Sequence, residues 1–167
     1  MEWTKFNTHG ESSNHAFEVM CNILFETWCK KEYKEELKYF SFVNGSGGDG
    51  GIESYGILNS GDVIGVQAKW FPDKMESAQF AQIKNSFNTA VKVRSEIKRY
   101  IVCIPRDLTS KKITSGGKIA KNTEENKWLE LVGQLKATNP SASVELWDET
   151  TIQGKLMQPE ARGCYKY

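Results

Sequence analysis

The feature that limits this chain most is the run Tyr100-Ile101-Val102-Cys103-Ile104, which is apolar throughout and is halted by Pro105. It falls far short of the roughly 20 residues a membrane span needs. Proline lacks the N–H that would extend a ladder. A short run with no polar alternation is the pattern of a strand covered on both faces. The rest of the chain must therefore supply two apolar layers. With 167 residues, 39% hydrophobic and 26% charged, it has the bulk for one domain with a real core.

The flanking sequence offers such layers. From Ser12 to about Lys30, Ala16, Val19, Met20, Ile23, Leu24 and Trp28 recur at helical spacing, with Ser12 or Ser13 available as an N-cap. Residues 37–43 read as an aromatic-rich strand running into the glycine cluster 45–51. Strands at Ile52–Leu58 and Val63–Trp70 are joined by Asn59-Ser60-Gly61-Asp62, residues that tolerate the positive φ of a hairpin turn. Ser77–Val93 carries Phe80, Ile83, Phe87, Ala90 and Val91 at intervals suited to a second helix. Arg106–Lys121 is polar, basic and glycine-containing, and reads as a mobile loop. A helix at Glu124–Ala137, a strand at Ser143–Trp147 and a short helix from Glu149 complete the order. The prediction is an α/β sandwich: three layers, with a central mixed sheet flanked by helices on both faces.

The formal net charge of +1 conceals an uneven distribution. Lys92, Arg94, Lys98, Arg99, Arg106, Lys111, Lys112, Lys118 and Lys121 crowd the middle against Glu96 and Asp107, a stretch able to track a phosphate backbone or to form a solvated lysine-rich surface. The cysteines Cys21, Cys29, Cys103 and Cys164 are scattered without a CxxC pair. Together with His9 and His15 they fit no zinc-ligand spacing, so free thiols in a reducing compartment are expected. No apolar segment is long enough to span a membrane, and the start Met1-Glu2-Trp3-Thr4-Lys5 is no signal peptide, so the expected location is the cytoplasm.

Gly45-Ser46-Gly47-Gly48-Asp49-Gly50 satisfies G-x-G-x-x-G after a strand, but a dinucleotide site needs a helix immediately afterwards, and Ile52–Leu58 reads as a strand. A P-loop near Gly116-Gly117-Lys118 fails as well, with Lys112 and Ile119 at its required positions. What remains is an acid in a glycine-rich loop followed by a hairpin whose return strand reads Val66-Gln67-Ala68-Lys69. Strand alternation turns Gln67 and Lys69 to one side, while Asp49 shares a face with Glu53 if the strand begins that early. Hairpin closure brings the two sets together. An acid, an amide oxygen and a lysine converging in this way suit phosphodiester hydrolysis assisted by a hard cation such as Mg²⁺, with Lys69 orienting the attacking water. Taken singly, the glycine cluster could be a plain tight turn and Lys69 an edge-strand lysine holding its charge in solvent.

Asp49-Gly50-Gly51-Ile52-Glu53 followed by Val66-Gln67-Ala68-Lys69 resembles the Mrr-like, QxK branch of the PD-(D/E)xK nucleases. It also resembles the nuclease domains of bacterial antiviral effectors of the SAVED and antiviral STAND NTPase types. Ala16-Phe17-Glu18, residues 100–105 and Val144-Glu145-Leu146-Trp147-Asp148 extend the likeness over nearly the whole chain. The resemblance implies a restriction-endonuclease-like fold and an Mg²⁺-dependent endonuclease (Mn²⁺ able to substitute) acting on double-stranded DNA. It implies metal ligation by Asp49 or Glu53 and by the Gln67 amide oxygen, Lys69 assisting the water, and Glu18 reaching in from the first helix to make up the charge that Gln67 does not carry. Many relatives read DGGID where this chain has Glu53, so the principal acid is open between Asp49 and Glu53. Gln79 and Gln82, on the following helix, could contact phosphate or Lys69, or be ordinary helix-surface glutamines, and stay outside the candidate set.

Little base readout is expected, since no recognition helix or zinc module is visible. One domain over 1–167, forming the N-terminal part of a longer protein with a linked sensor or ATPase and activated by oligomerisation, follows from the resemblance and from a C-terminal run, Ala161–Tyr167, that lacks a polar tail. The rival from another class is a catalytically silent nucleic-acid-binding module with a nuclease fold. An RNA substrate would leave no mark in the sequence.

Overall fold

In the computed structural model the apolar run at 100–104 lies inside a five-stranded sheet, and the structure describes residues 3, 6–43, 50–110 and 123–164. In chain order the elements are α1 (Ser13–Tyr33), β1 (Leu37–Phe42), β2 (Ser54–Leu58), β3 (Val63–Ala68), α2 (Ser77–Val93), β4 (Ile97–Cys103), α3 (Glu124–Thr138), β5 (Ser143–Trp147) and α4 (Glu149–Leu156). Strand order in the sheet follows chain order. β2 runs antiparallel to both β1 and β3, whereas β4 and β5 continue the sheet in parallel from β3. Each parallel step crosses over through a helix, as a parallel pair requires. The predicted α/β sandwich with a mixed central sheet is the fold observed.

Burial on both faces of β4 is the physical core of the arrangement. Ile101 and Cys103 belong to a cluster with Phe17, Met20 and Leu24 of α1 and Ile152 of α4. Tyr100, Val102 and Ile104 belong to another with Ile83 and Phe87 of α2 and Leu131 of α3. Alternate residues of one strand thus face two separate helical layers. The cysteines are free and buried. Burial pushes the Cys29 thiol up to about 11, and burial together with neighbouring Cys103 carries Cys21 well above the ordinary thiol value, so both stay protonated near neutral pH.

Local chemistry sets the ends of the elements. Ser12 caps α1 by accepting from the His15 N–H, Thr123 caps α3 through Asn126, and Asp148 caps α4 through Thr151. Glu76 and Gln79 form a reciprocal capping box at α2. The 59–62 turn closes as predicted, with Gly61 at φ +90° and the Leu58 N–H donating to Asp62 O.

Four expectations are corrected. β2 begins at Ser54, because Gly50 and Gly51 at φ +60° and +81° turn the chain before it. β3 ends at Ala68, although the Lys69 N–H still donates to Cys103 O. β4 begins at Ile97, which is buried and pairs with Val63; the polar Lys98 and Arg99 that follow break the apolar pattern, and Arg99 is held by pairing with both neighbouring strands. Residues 106–110 are not loose, since buried Glu124 binds the Arg106 guanidinium and accepts from the Thr109 N–H; the remainder of the predicted mobile loop, 111–122, lies outside the described residues. The same pairing alters the view of the basic stretch: Arg106 is committed to Glu124 and Arg99 to Glu145, while Lys111, Lys112, Lys118 and Lys121 lie outside the described residues.

Candidate functional site

The hairpin does most of the positioning. Ser54 pairs with Val66, and the Glu53 N–H, one residue earlier, donates to Val66 O at 2.8 Å while Glu53 O accepts from the Val43 N–H at 2.8 Å. Glu53 is thereby fixed between β1 and β3 just before β2 starts, beside Gln67. Its side chain is 6% exposed, that of Gln67 is fully buried, and the Gln67 amide Nε2 donates to the Glu53 carboxylate. Val66 and Ala68 pack toward α1, so Gln67 faces the α2–α3 side. Two residues further on, Lys69 returns to that face, about 7 Å along the strand. Its side chain is half-buried at the sheet's end.

The turn before Glu53 is built by close approach. A Cβ on Gly51 would stand 2.0 Å from Ser86 O and 2.8 Å from Ala90 N, so only glycine lets the loop lie against α2. The Tyr100 hydroxyl donates to Gly51 O at 2.7 Å and anchors the turn to β4. Ile52 fills the core beneath and packs against Gly65. The Gly50–Gly51 turn therefore delivers Glu53 to Gln67.

Glu18 stands apart from this pair. It is half-buried on α1, across the sheet, and makes no hydrogen bond or ion pair with any described residue. One helical turn on, buried Asn22 accepts from Ser54 Oγ at 2.7 Å. At the other side of Glu18, Phe17 packs on Trp70, just past Lys69. Glu18 thus stands on α1 between Phe17, which packs on Trp70 beside Lys69, and Asn22, which bonds to the residue after Glu53. Asp49 lies outside the described residues. Among the described residues no group of three or more His, Cys, Asp or Glu side chains is gathered to hold a metal ion. Gln79 is occupied by its capping box and Gln82 is exposed.

Sequence reasoning overlooked the Asn22–Ser54 bond, although a polar residue four positions after Glu18 on an otherwise apolar helix face is a usable sign. It counted Arg94 only within the basic stretch and overlooked its place over Tyr55, the guanidinium carbon 4.4 Å from the centre of the ring.

No protein-family model matches the chain, and a comparison with curated proteins gives no match. Among solved structures the chain is similar to a repair endonuclease from Pyrococcus abyssi, at 16% identity and a TM-score of 0.38, over 83% of this chain; the match spans 46% of that enzyme.

Proposed function

We propose that the chain is a metal-dependent endonuclease domain that hydrolyses DNA phosphodiesters at the Glu53–Gln67–Lys69 face, with Asp49 as the further acid. The observation that supports this most is the buried carboxylate–amide pair with a lysine next outward on the same sheet face. Burying two polar groups at the end of an apolar sheet costs more than an apolar pair of the same size, which supports a chemical use for them.

The donor set fits a hard divalent cation, Mg²⁺ or Mn²⁺, because carboxylate and amide oxygens are its preferred ligands. Such an ion supplies polarisation of the phosphate and a bound water of lowered pKa. For Gln67 to ligate alongside Glu53, its amide turns over, presenting Oε1 where Nε2 now faces the carboxylate. Lys69 orients the incoming water and offsets the negative charge that develops on the phosphate. Glu18, on the first helix, is proposed to support the site on the sequence resemblance alone. Double-stranded DNA as substrate, a part in antiviral defence, and control by a linked sensor or ATPase are proposed on the sequence resemblance alone.

Plasmid cutting in Mg²⁺ tests the reading. Wild type is expected to nick and linearise the plasmid, and Lys69→Ala to lower the rate by at least about 100-fold while leaving DNA binding in place. DNA binding without cutting by the wild type, at every concentration and with an oligomerising fusion, would establish the silent binding module instead.

A further inference from the structure

Beside the candidate site, the sheet carries two neighbouring tyrosines, one exposed and one packed against the core. Tyr39 of β1 is 53% exposed. Its ring lies 6.4 Å from that of half-buried Tyr55 on β2, and Arg94, the residue capping the C-terminus of α2, stands over Tyr55. Ser54 turns toward Asn22 and α1, so Glu53 and Tyr55 occupy the opposite face, two residues and about 7 Å apart. The cluster is continuous with the turn that holds Glu53, because a Cβ on Gly50 would stand 3.4 Å from the Arg94 guanidinium and 3.7 Å from Val93. Among the described residues Arg94 has no carboxylate partner.

We propose that Tyr39, Tyr55 and Arg94 form a stacking platform for an unpaired nucleobase, lying one extended nucleotide from the phosphate held at Glu53, Gln67 and Lys69. The proposal rests on the nuclease reading for the identity of that neighbouring site. Tyr39 offers an open π-face, and aromatic rings beside a cation are the usual means of holding unstacked bases. The Arg94 charge, fixed over Tyr55, is complementary to the strand's phosphates. Bases inside a duplex hide their faces, so the platform accepts a base only from a single strand, a gap, or a nucleotide displaced from its stack.

The test is equilibrium binding by fluorescence anisotropy in EDTA, where no strand is cut. It uses an end-labelled single strand and the same strand with abasic sites at its central positions. Tyr39→Ala is expected to weaken binding of the base-bearing strand about tenfold, leave the abasic strand and the melting temperature unchanged, and be rescued by Tyr39→Phe. Arg94→Ala is expected to weaken both single strands. Equal loss on base-bearing and abasic strands, or no loss on either, overturns the platform. Failure of plasmid cutting with the Tyr39 effect intact would remove the nuclease reading and leave the platform standing.

Discussion

Gly51 shows most sharply how one residue type governs the site. Its positive φ and the 2.0 Å approach to Ser86 O leave no space for a methyl group, and the obstruction is helix backbone. Gly51→Ala is expected to cost roughly 3 kcal/mol, combining left-handed strain with overpacking, as read from the midpoint of urea unfolding. Because the same turn carries Glu53, cutting should fall further than the loss of folded protein explains. Gly61, at φ +90° with open space about it, fills a turn with no such demand for room.

At the scale of elements, Glu124 joins three segments. Its carboxylate, 1% exposed, accepts from the Met75 N–H before α2, from the Arg106 guanidinium after β4 and from the Thr109 N–H, all from the first turn of α3. Burial alone would raise its pKa; the hydrogen bonds from Met75 and Thr109, with the Arg106 charge, outweigh burial and hold it below the usual carboxylate value. A depressed folded-state pKa contributes stability that is present above the unfolded-state value and lost as pH falls through the folded one. Stability is therefore expected to decline in the acid range and the decline to be shallower in Glu124→Gln, measured by urea unfolding from pH 7 to pH 3. Glu124→Ala, which strands Arg106, should cost about 3 kcal/mol or more.

At the scale of the molecule, the antiparallel half of the sheet carries the candidate site and the parallel half supplies the core that keeps it rigid. No described helix is long and apolar enough to cross a membrane. An isolated domain of this size offers DNA a small contact area, so the specific rate of plasmid cutting is expected to rise with protein concentration and with a fused trimerising segment, through higher effective concentration. Equal specific rates for dilute monomer and forced trimer would remove assembly as the control.

How much of this was legible beforehand follows from the range of each signal. The both-face burial of β4, the α2 stripe and the 59–62 turn are encoded in neighbouring residues, and the sequence by itself determined them and, through the hairpin, the meeting of Glu53 with Gln67. Three features were decided only by tertiary structure: the Glu124 clamp on residues 106–109, the Asn22–Ser54 bond across 32 positions, and the placing of Arg94 over a ring on β2. They join residues distant in the chain through single polar or ring contacts. Such contacts have no period to read, and they form only where the packing of helices on the sheet has already brought the partners within reach.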